Sequence, residues 1–206
     1  MTGQLVLVST PIGNLGDLSP RAVEALRACA LICCEDTRHS GKLLSHAGVS
    51  GVRLAVANEH TEAARAEEVV DLLLAGQDVA VVTDAGTPGI SDPGSRLVRA
   101  VLDAGLPVSA VPGPAALVMA LVISGFDTTR FVFEGFLPRS GRDRTVRLAE
   151  VAAERRTIVL YEAPHRVQRT VTDLAAACGG ERRVALAREL TKKVEEVWRG
   201  TLADAV

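Results

Sequence analysis

The sequence predicts an α/β fold whose N-terminal part is built on a mainly parallel sheet. Two observations predict it. Short aliphatic runs alternate with amphipathic stretches of helical period, which is the pattern of βα units. Several of those runs lead straight into loops rich in Gly, Pro and Asp, and open α/β sheets hold ligands at such strand ends. The composition agrees: 48% of the 206 residues are hydrophobic but only 3% aromatic, so the core is aliphatic.

The strands expected in the first domain are residues 5–8, 30–34, 52–56, 79–82 and 107–111. Helices are expected between them. Residues 20–28 follow Ser19, a good N-cap, with Pro20 in the first turn. Residues 38–47 and 62–75 come next, the latter capped by Thr61 and stopped by Gly76. Residues 93–104 lie between Asp92 as cap and Gly105 as stop. The Pro112-Gly113-Pro114 break precedes an almost wholly apolar helix over 115–124. The polar turn at 125–129 sets the expected domains, 1–125 and 126–206. In the second domain, strands are expected at 131–133, 157–161 and 184–187, and helices at 142–154 and 165–178. Residues 201–206 read as a capped helix just beginning, so the second domain is expected to lack its C-terminal end, with a frayed tail as the alternative.

Charge and cysteines narrow the classes. The net charge is −2, divided as −5 over residues 1–125 and +3 over 126–206, which allows a local polyanion site on an acidic protein. Cys29, Cys33, Cys34 and Cys178 show no C-x-x-C spacing, and no metal site is predicted. Cys33 and Cys34 read as small hydrophobes of a buried strand. No signal peptide or membrane-length apolar run is visible, which suggests a reduced, cytoplasmic protein.

The common phosphate and nucleophile motifs are missing. Gly41-Lys42-Leu43 lacks the rest of a P-loop, the loop after the first strand is not G-x-G-x-x-G, and Gly89-Ile90-Ser91-Asp92-Pro93 has Pro in place of the second Gly of a nucleophile elbow. The loops at 10–17, 84–94, 112–116 and 162–166, with the polar segment 35–39, remain. Each alone is a turn. Together they suggest a composite site at the strand ends of two domains. Glu35, Asp36 and His39 converge if a helix starts at Asp36, though a solvated helix start is the simpler reading.

Seven stretches carry a resemblance: Ser9-Thr10-Pro11-Ile12-Gly13-Asn14-Leu15-Gly16-Asp17-Leu18, Cys34-Glu35-Asp36-Thr37-Arg38, the 84–94 loop with Ser91, Val111-Pro112-Gly113-Pro114-Ala115-Ala116, Phe133-Glu134-Gly135-Phe136-Leu137-Pro138, Tyr161-Glu162-Ala163-Pro164-His165-Arg166 and Ala187-Arg188-Glu189-Leu190-Thr191-Lys192. In this order they resemble the ribosomal RNA small subunit methyltransferase I family, of the tetrapyrrole methylase-like class. The resemblance covers nearly the whole chain. It implies a two-domain tetrapyrrole methylase-like fold, S-adenosylmethionine (SAM) as methyl donor with S-adenosylhomocysteine as product, and methylation of the ribose 2′-hydroxyl of a decoding-centre cytidine in 16S rRNA. It also implies a homodimer acting on the small ribosomal subunit.

The resemblance places the cofactor against Pro11, Asp84, Gly86, Thr87, Ile90, Ser91, Ala115, Ala116 and Glu162. Asp84 either favours the cofactor's cation or caps its own loop. A general base is left open among Asp36, Glu35, His60, His165 and Lys192, with proton loss to water as another route. Arg38, Arg139, Arg142, Arg144, His165, Arg166, Arg188 and Lys192 are the candidate RNA contacts. Two other readings are a small-molecule, tetrapyrrole-type methyltransferase and a non-catalytic SAM-binding ribosome-assembly module.

Overall fold

The computed structural model describes residues 1–58 and 61–206 and divides the chain into two units, Met1–Ala115 and Ala116–Val206. In the first, five parallel strands, β1 (Leu5–Val8), β2 (Leu31–Cys34), β3 (Arg53–Val56), β4 (Val79–Val81) and β5 (Val108–Val111), stand in the order β3-β2-β4-β1-β5. Four helices cover the sheet: α1 (Pro20–Ala28), α2 (Thr37–His46), α3 (Glu62–Leu74) and α4 (Ser95–Asp103). Alternating strand residues feed opposite faces. Val6, Val8, Ile32 and Cys34 pack with Ala22 and Leu26 of α1 and Leu44 of α2. Leu5, Leu31, Cys33 and Val79 pack with Val69 and Leu73 of α3 and Leu97 and Val101 of α4. The crossovers after β1 and β2 therefore use one face and those after β3 and β4 the other. That reversal makes a topological switch at the carboxyl edge of β1, β2 and β4. Cys33 and Cys34 are buried in β2 as expected, and burial pushes the Cys33 thiol up to about 12.

One cap differs from expectation. Helix α4 starts at Ser95, and Asp92 does not cap it. The open amides of Gly94 and Leu97 donate instead to Glu62 Oε1, at 3.0 and 2.9 Å. Glu62 is buried at the start of α3, so one helix stops the other's frayed end. Thr61 makes no side-chain cap either. Its N–H donates to Asn58 Oδ1 at 3.1 Å.

The second unit begins with α5 (Ala116–Ser124), so this helix goes with the later residues although the sequence reading set the boundary at 125. Leu117 and Leu121 pack on Val159, Phe133 and Tyr161, which ties α5 to the strands that follow. Those are β6 (Phe131–Phe136) and β7 (Thr157–Tyr161), a parallel pair joined through α6 (Gly141–Ala153). After α7 (Val167–Cys178), β8 (Arg183–Arg188) and β9 (Glu196–Thr201) make an antiparallel hairpin. The sequence reading missed β9, because Gly200 breaks its strand signal. Here Gly200 leaves room for the Trp198 ring. A final turn, α8 (Leu202–Ala205), starts at a Thr201–Asp204 capping box and buries Leu202. A cavity of about 400 Å³, lined by β7, β8 and the end of α5, holds none of the predicted site residues.

Candidate active site

Three loops of the first unit are tied together at the carboxyl edge of its sheet. Thr10 after β1 and Gly86 after β4 exchange both backbone hydrogen bonds, at 2.8 and 3.1 Å. The buried Thr10 hydroxyl donates to Thr83 O at 3.0 Å. Thr87 Oγ1 donates to Pro114 O, after β5, at 3.1 Å. A hydroxyl has one hydrogen, so in the 3.1 Å contact with Ser9 Oγ it is Ser9 that donates. The glycines are sterically required here. At Gly113 a Cβ would come within 2.8 Å of Ser9 Cβ, and Gly86 has φ +92° with Ile12 Cγ2 3.4 Å from where its Cβ would stand. Beyond them Ser91 is held at φ +60°, an uncommon backbone state for a residue with a side chain, and Ile90 leaves its apolar surface exposed.

Carboxylates gather beside these loops. Glu35, at the end of β2, accepts from the Thr83 hydroxyl and from the Asp84 amide, the latter at 3.2 Å. Asp92 sits near both. Burial, then the charge of Glu35, pushes its carboxyl up to about 6, with Asp84 adding to the rise and the Thr83 hydroxyl opposing it. Asp84 Oδ1 is closed off from solvent and accepts no hydrogen bond of good geometry, but His39 Nδ1 lies 3.2 Å away. His39 is in the first turn of α2 and half exposed.

Asp36 is occupied otherwise. It caps α2 through the Arg38 amide at 2.8 Å and pairs with the Arg38 side chain, which holds its carboxyl down at about 2. Among the described residues no group of three His, Cys, Asp or Glu side chains stands as metal ligands would.

The second unit holds a different network. Glu162 Oε2 accepts from Thr170 Oγ1 at 2.6 Å, and Oε1 accepts from the Ala163 amide and lies 3.3 Å from Arg166 Nε. Buried Arg144 donates to Asp173 Oδ2, Pro138 O and Thr170 Oγ1, at 2.8, 2.8 and 3.0 Å. Arg144 was expected to touch RNA. With its side chain buried and its donors turned inward, it braces α6 against α7 instead.

The other candidates are more open. Arg139, Arg142 and His165 are exposed. Arg166 donates to Leu137 O at 2.8 Å and is mostly covered. Arg38, Arg188 and Lys192 are exposed but paired with Asp36, Glu196 and Glu189. In the expected cofactor set, Pro11 and Gly86 are buried, Thr87, Asp84, Ala115 and Ala116 half-buried, and Ile90 and Ser91 exposed. His60 lies outside the described residues. The sequence reading missed Asp92 and set His39 aside. Neither had a local signal, because their partners come from strands far away in sequence but adjacent in the sheet.

The family model described as Tetrapyrrole (Corrin/Porphyrin) Methylases matches residues 4–206. A protein of Synechocystis sp. named ribosomal RNA small subunit methyltransferase I is 52% identical over 99% of this chain and 73% of its own length. One of the same name from Escherichia coli O157:H7 is 47% identical over 95% of this chain and 68% of its own length. Among solved structures, the methyltransferase CobJ aligns with a TM-score of 0.73 at 20% identity, covering all of this chain and 89% of that one. Uroporphyrin-III-C-methyltransferase from Thermus thermophilus aligns at 0.67 with 22% identity, covering 98% and 86%. These two similarities concern the fold.

Proposed function

The chain belongs to the tetrapyrrole (corrin/porphyrin) methylase family of SAM-dependent methyltransferases, and from that premise we propose that it methylates the ribose 2′-hydroxyl of a decoding-centre cytidine in 16S rRNA. The observation that carries the proposal is the set of three interlocked loops at the carboxyl edge of the β3-β2-β4-β1-β5 sheet. Relatives 45–52% identical that are named rRNA small subunit methyltransferase I support RNA as the acceptor.

The residues fit SAM. Gly86 and Gly113 let the three loops close on one another, Ile90 offers an exposed apolar surface, and Glu35 and Asp84 place carboxylates beside those loops for a cation. Pro11, Asp84, Gly86, Thr87, Ile90, Ser91 and Ala115 are the cofactor contacts proposed for the first unit, and Ala116 and Glu162 are those proposed for the second. SAM supplies a methyl group already activated on a sulfonium. The protein's work is then to position two reactants, a task that supplies about 7–11 kcal/mol when geometry is tight. Loop tethers such as Thr87 to Pro114 hold that geometry.

Phosphate contacts fall to exposed Arg139 and Arg142, to His165, and to Arg38, Arg188 and Lys192 once RNA phosphates compete with their exposed carboxylate partners. The protein is proposed to act in the cytoplasm as a homodimer. Val118, Met119 and Val122, exposed on α5, offer an apolar face for that contact. No helix among the described residues is long and apolar enough to cross a membrane.

The test is to incubate the full chain and methyl-labelled SAM with small subunits, naked rRNA and a tetrapyrrole precursor. Label in rRNA is expected. Label only in the tetrapyrrole supports the small-molecule reading, and SAM binding without any transfer supports the non-catalytic one.

A further inference from the structure

We propose that His39 is the general base for the methyl acceptor and that Asp84 is the positioning residue that fixes its tautomer. The proposal rests on the ribose reading above. Asp84 Oδ1 is closed to solvent, and the group the structure brings to it is His39 Nδ1 at 3.2 Å. A bare Nδ1 would set lone pair against lone pair at that distance. A protonated Nδ1 turns the contact into an attraction. That attraction favours the tautomer with the proton on Nδ1, which leaves the lone pair on Nε2.

His39 is half exposed at the strand-end edge, so a substrate hydroxyl has a way to reach Nε2. Asp84 is itself anchored. Its amide donates to Glu35, and Glu35 accepts the Thr83 hydroxyl from the end of β4.

The other described candidates are engaged or unoriented. Asp36 is held at about 2 by Arg38, far too acidic to draw a proton from a ribose hydroxyl. Glu35 already accepts the Thr83 hydroxyl and the Asp84 amide, both at Oε1, which ties it to the end of β4. Lys192 is an ammonium paired with Glu189 at 3.0 Å. His165 is exposed and forms no ion pair with a carboxylate among the described residues.

In the step, the 2′-oxygen uses a lone pair to bond the methyl carbon. The carbon–sulfur bond breaks and its electron pair stays on sulfur, leaving a neutral thioether. The hydroxyl proton passes to His39 Nε2, and the resulting imidazolium, paired with Asp84, returns it to water.

Two measurements test this on the full chain. Long-range ¹H–¹⁵N correlation spectra, with His39 assigned through its loss in His39→Gln, are expected to show the Nδ1–H tautomer in the wild type. They are expected to show a shift toward Nε2–H in Asp84→Asn. Single-turnover methylation of small subunits is expected to slow on the order of 10²- to 10⁴-fold in His39→Gln, with SAM and RNA affinities within about threefold of wild type. A wild-type Nε2–H tautomer, or a His39→Gln rate within threefold of wild type, overturns the proposal. If the wild type methylates no ribose, the ribose reading fails and the base role with it. The tautomer spectra still report on the Asp84–His39 pair by themselves.

Discussion

Both units carry a carboxylate network among polar side chains, and the two are filled differently. In the second unit, Glu162 has a donor on each oxygen, and buried Arg144 divides its donors among Asp173, Pro138 O and Thr170. In the first, Glu35 takes both of its hydrogen bonds on Oε1, Asp84 Oδ1 faces an ill-aligned imidazole, and Asp92 is pushed up to about 6. A network of buried hydrogen bonds running between two helices is a brace. One with unfinished valences and a shifted carboxyl at a strand-end edge has the character of a reaction site. Residue type does not separate the two, but hydrogen-bond occupancy does.

The largest way to break that contrast is Arg144→Ala. It leaves Asp173 and Thr170 without their buried partner and is expected to destabilise the chain by about 3–5 kcal/mol in denaturant titration. His39→Gln, at an exposed site, is expected to stay within about 0.5 kcal/mol of wild type. Equal stability losses in the two variants would erase the distinction.

Asp92→Asn gives a smaller, pH-dependent effect. The folded-state carboxyl is raised above its ordinary value, so its favourable contribution is full in acid and is lost as pH rises through about 6. The variant should match wild type near pH 4. Above pH 7 it should be more stable by about 1 kcal/mol, after discounting the shift for partial solvent screening. A stability difference that does not change with pH would contradict the acidic cluster.

Arg142→Ala gives the smallest effect and the sharpest local comparison. Arg142 and Arg144 are two residues apart on α6, so they point to nearly opposite sides, one outward and one buried. Loss of Arg142 is expected to reduce the slope of log affinity for RNA against log salt by about 0.7–0.9, with SAM affinity and stability unchanged. An unchanged slope removes Arg142 from the RNA contacts.

The same pair shows what the sequence could disclose. The βα alternation gave the sheet and its loops, because hydrophobic period and turn residues are local signals. The basic stretch at 139–144 was visible, but not which arginine faces inward, since that depends on Thr170 and Asp173 in another helix. Asp92 read as a helix cap on local grounds, and the cap came from Glu62, thirty residues earlier. His39 looked like part of a solvated helix start until the sheet order set β4 beside β2 and brought Asp84 to it. Strand order is the long-range fact that one sequence does not print, and the candidate site depends on it.

Methylation at ribose is read most directly by alkaline hydrolysis. RNA methylated by the full chain with labelled SAM is hydrolysed to completion in alkali. A 2′-O-methyl group removes the internal nucleophile that cuts the adjacent phosphodiester, so label is expected in an alkali-resistant dinucleotide. Label released in mononucleotides would place the methyl on a base and contradict ribose methylation.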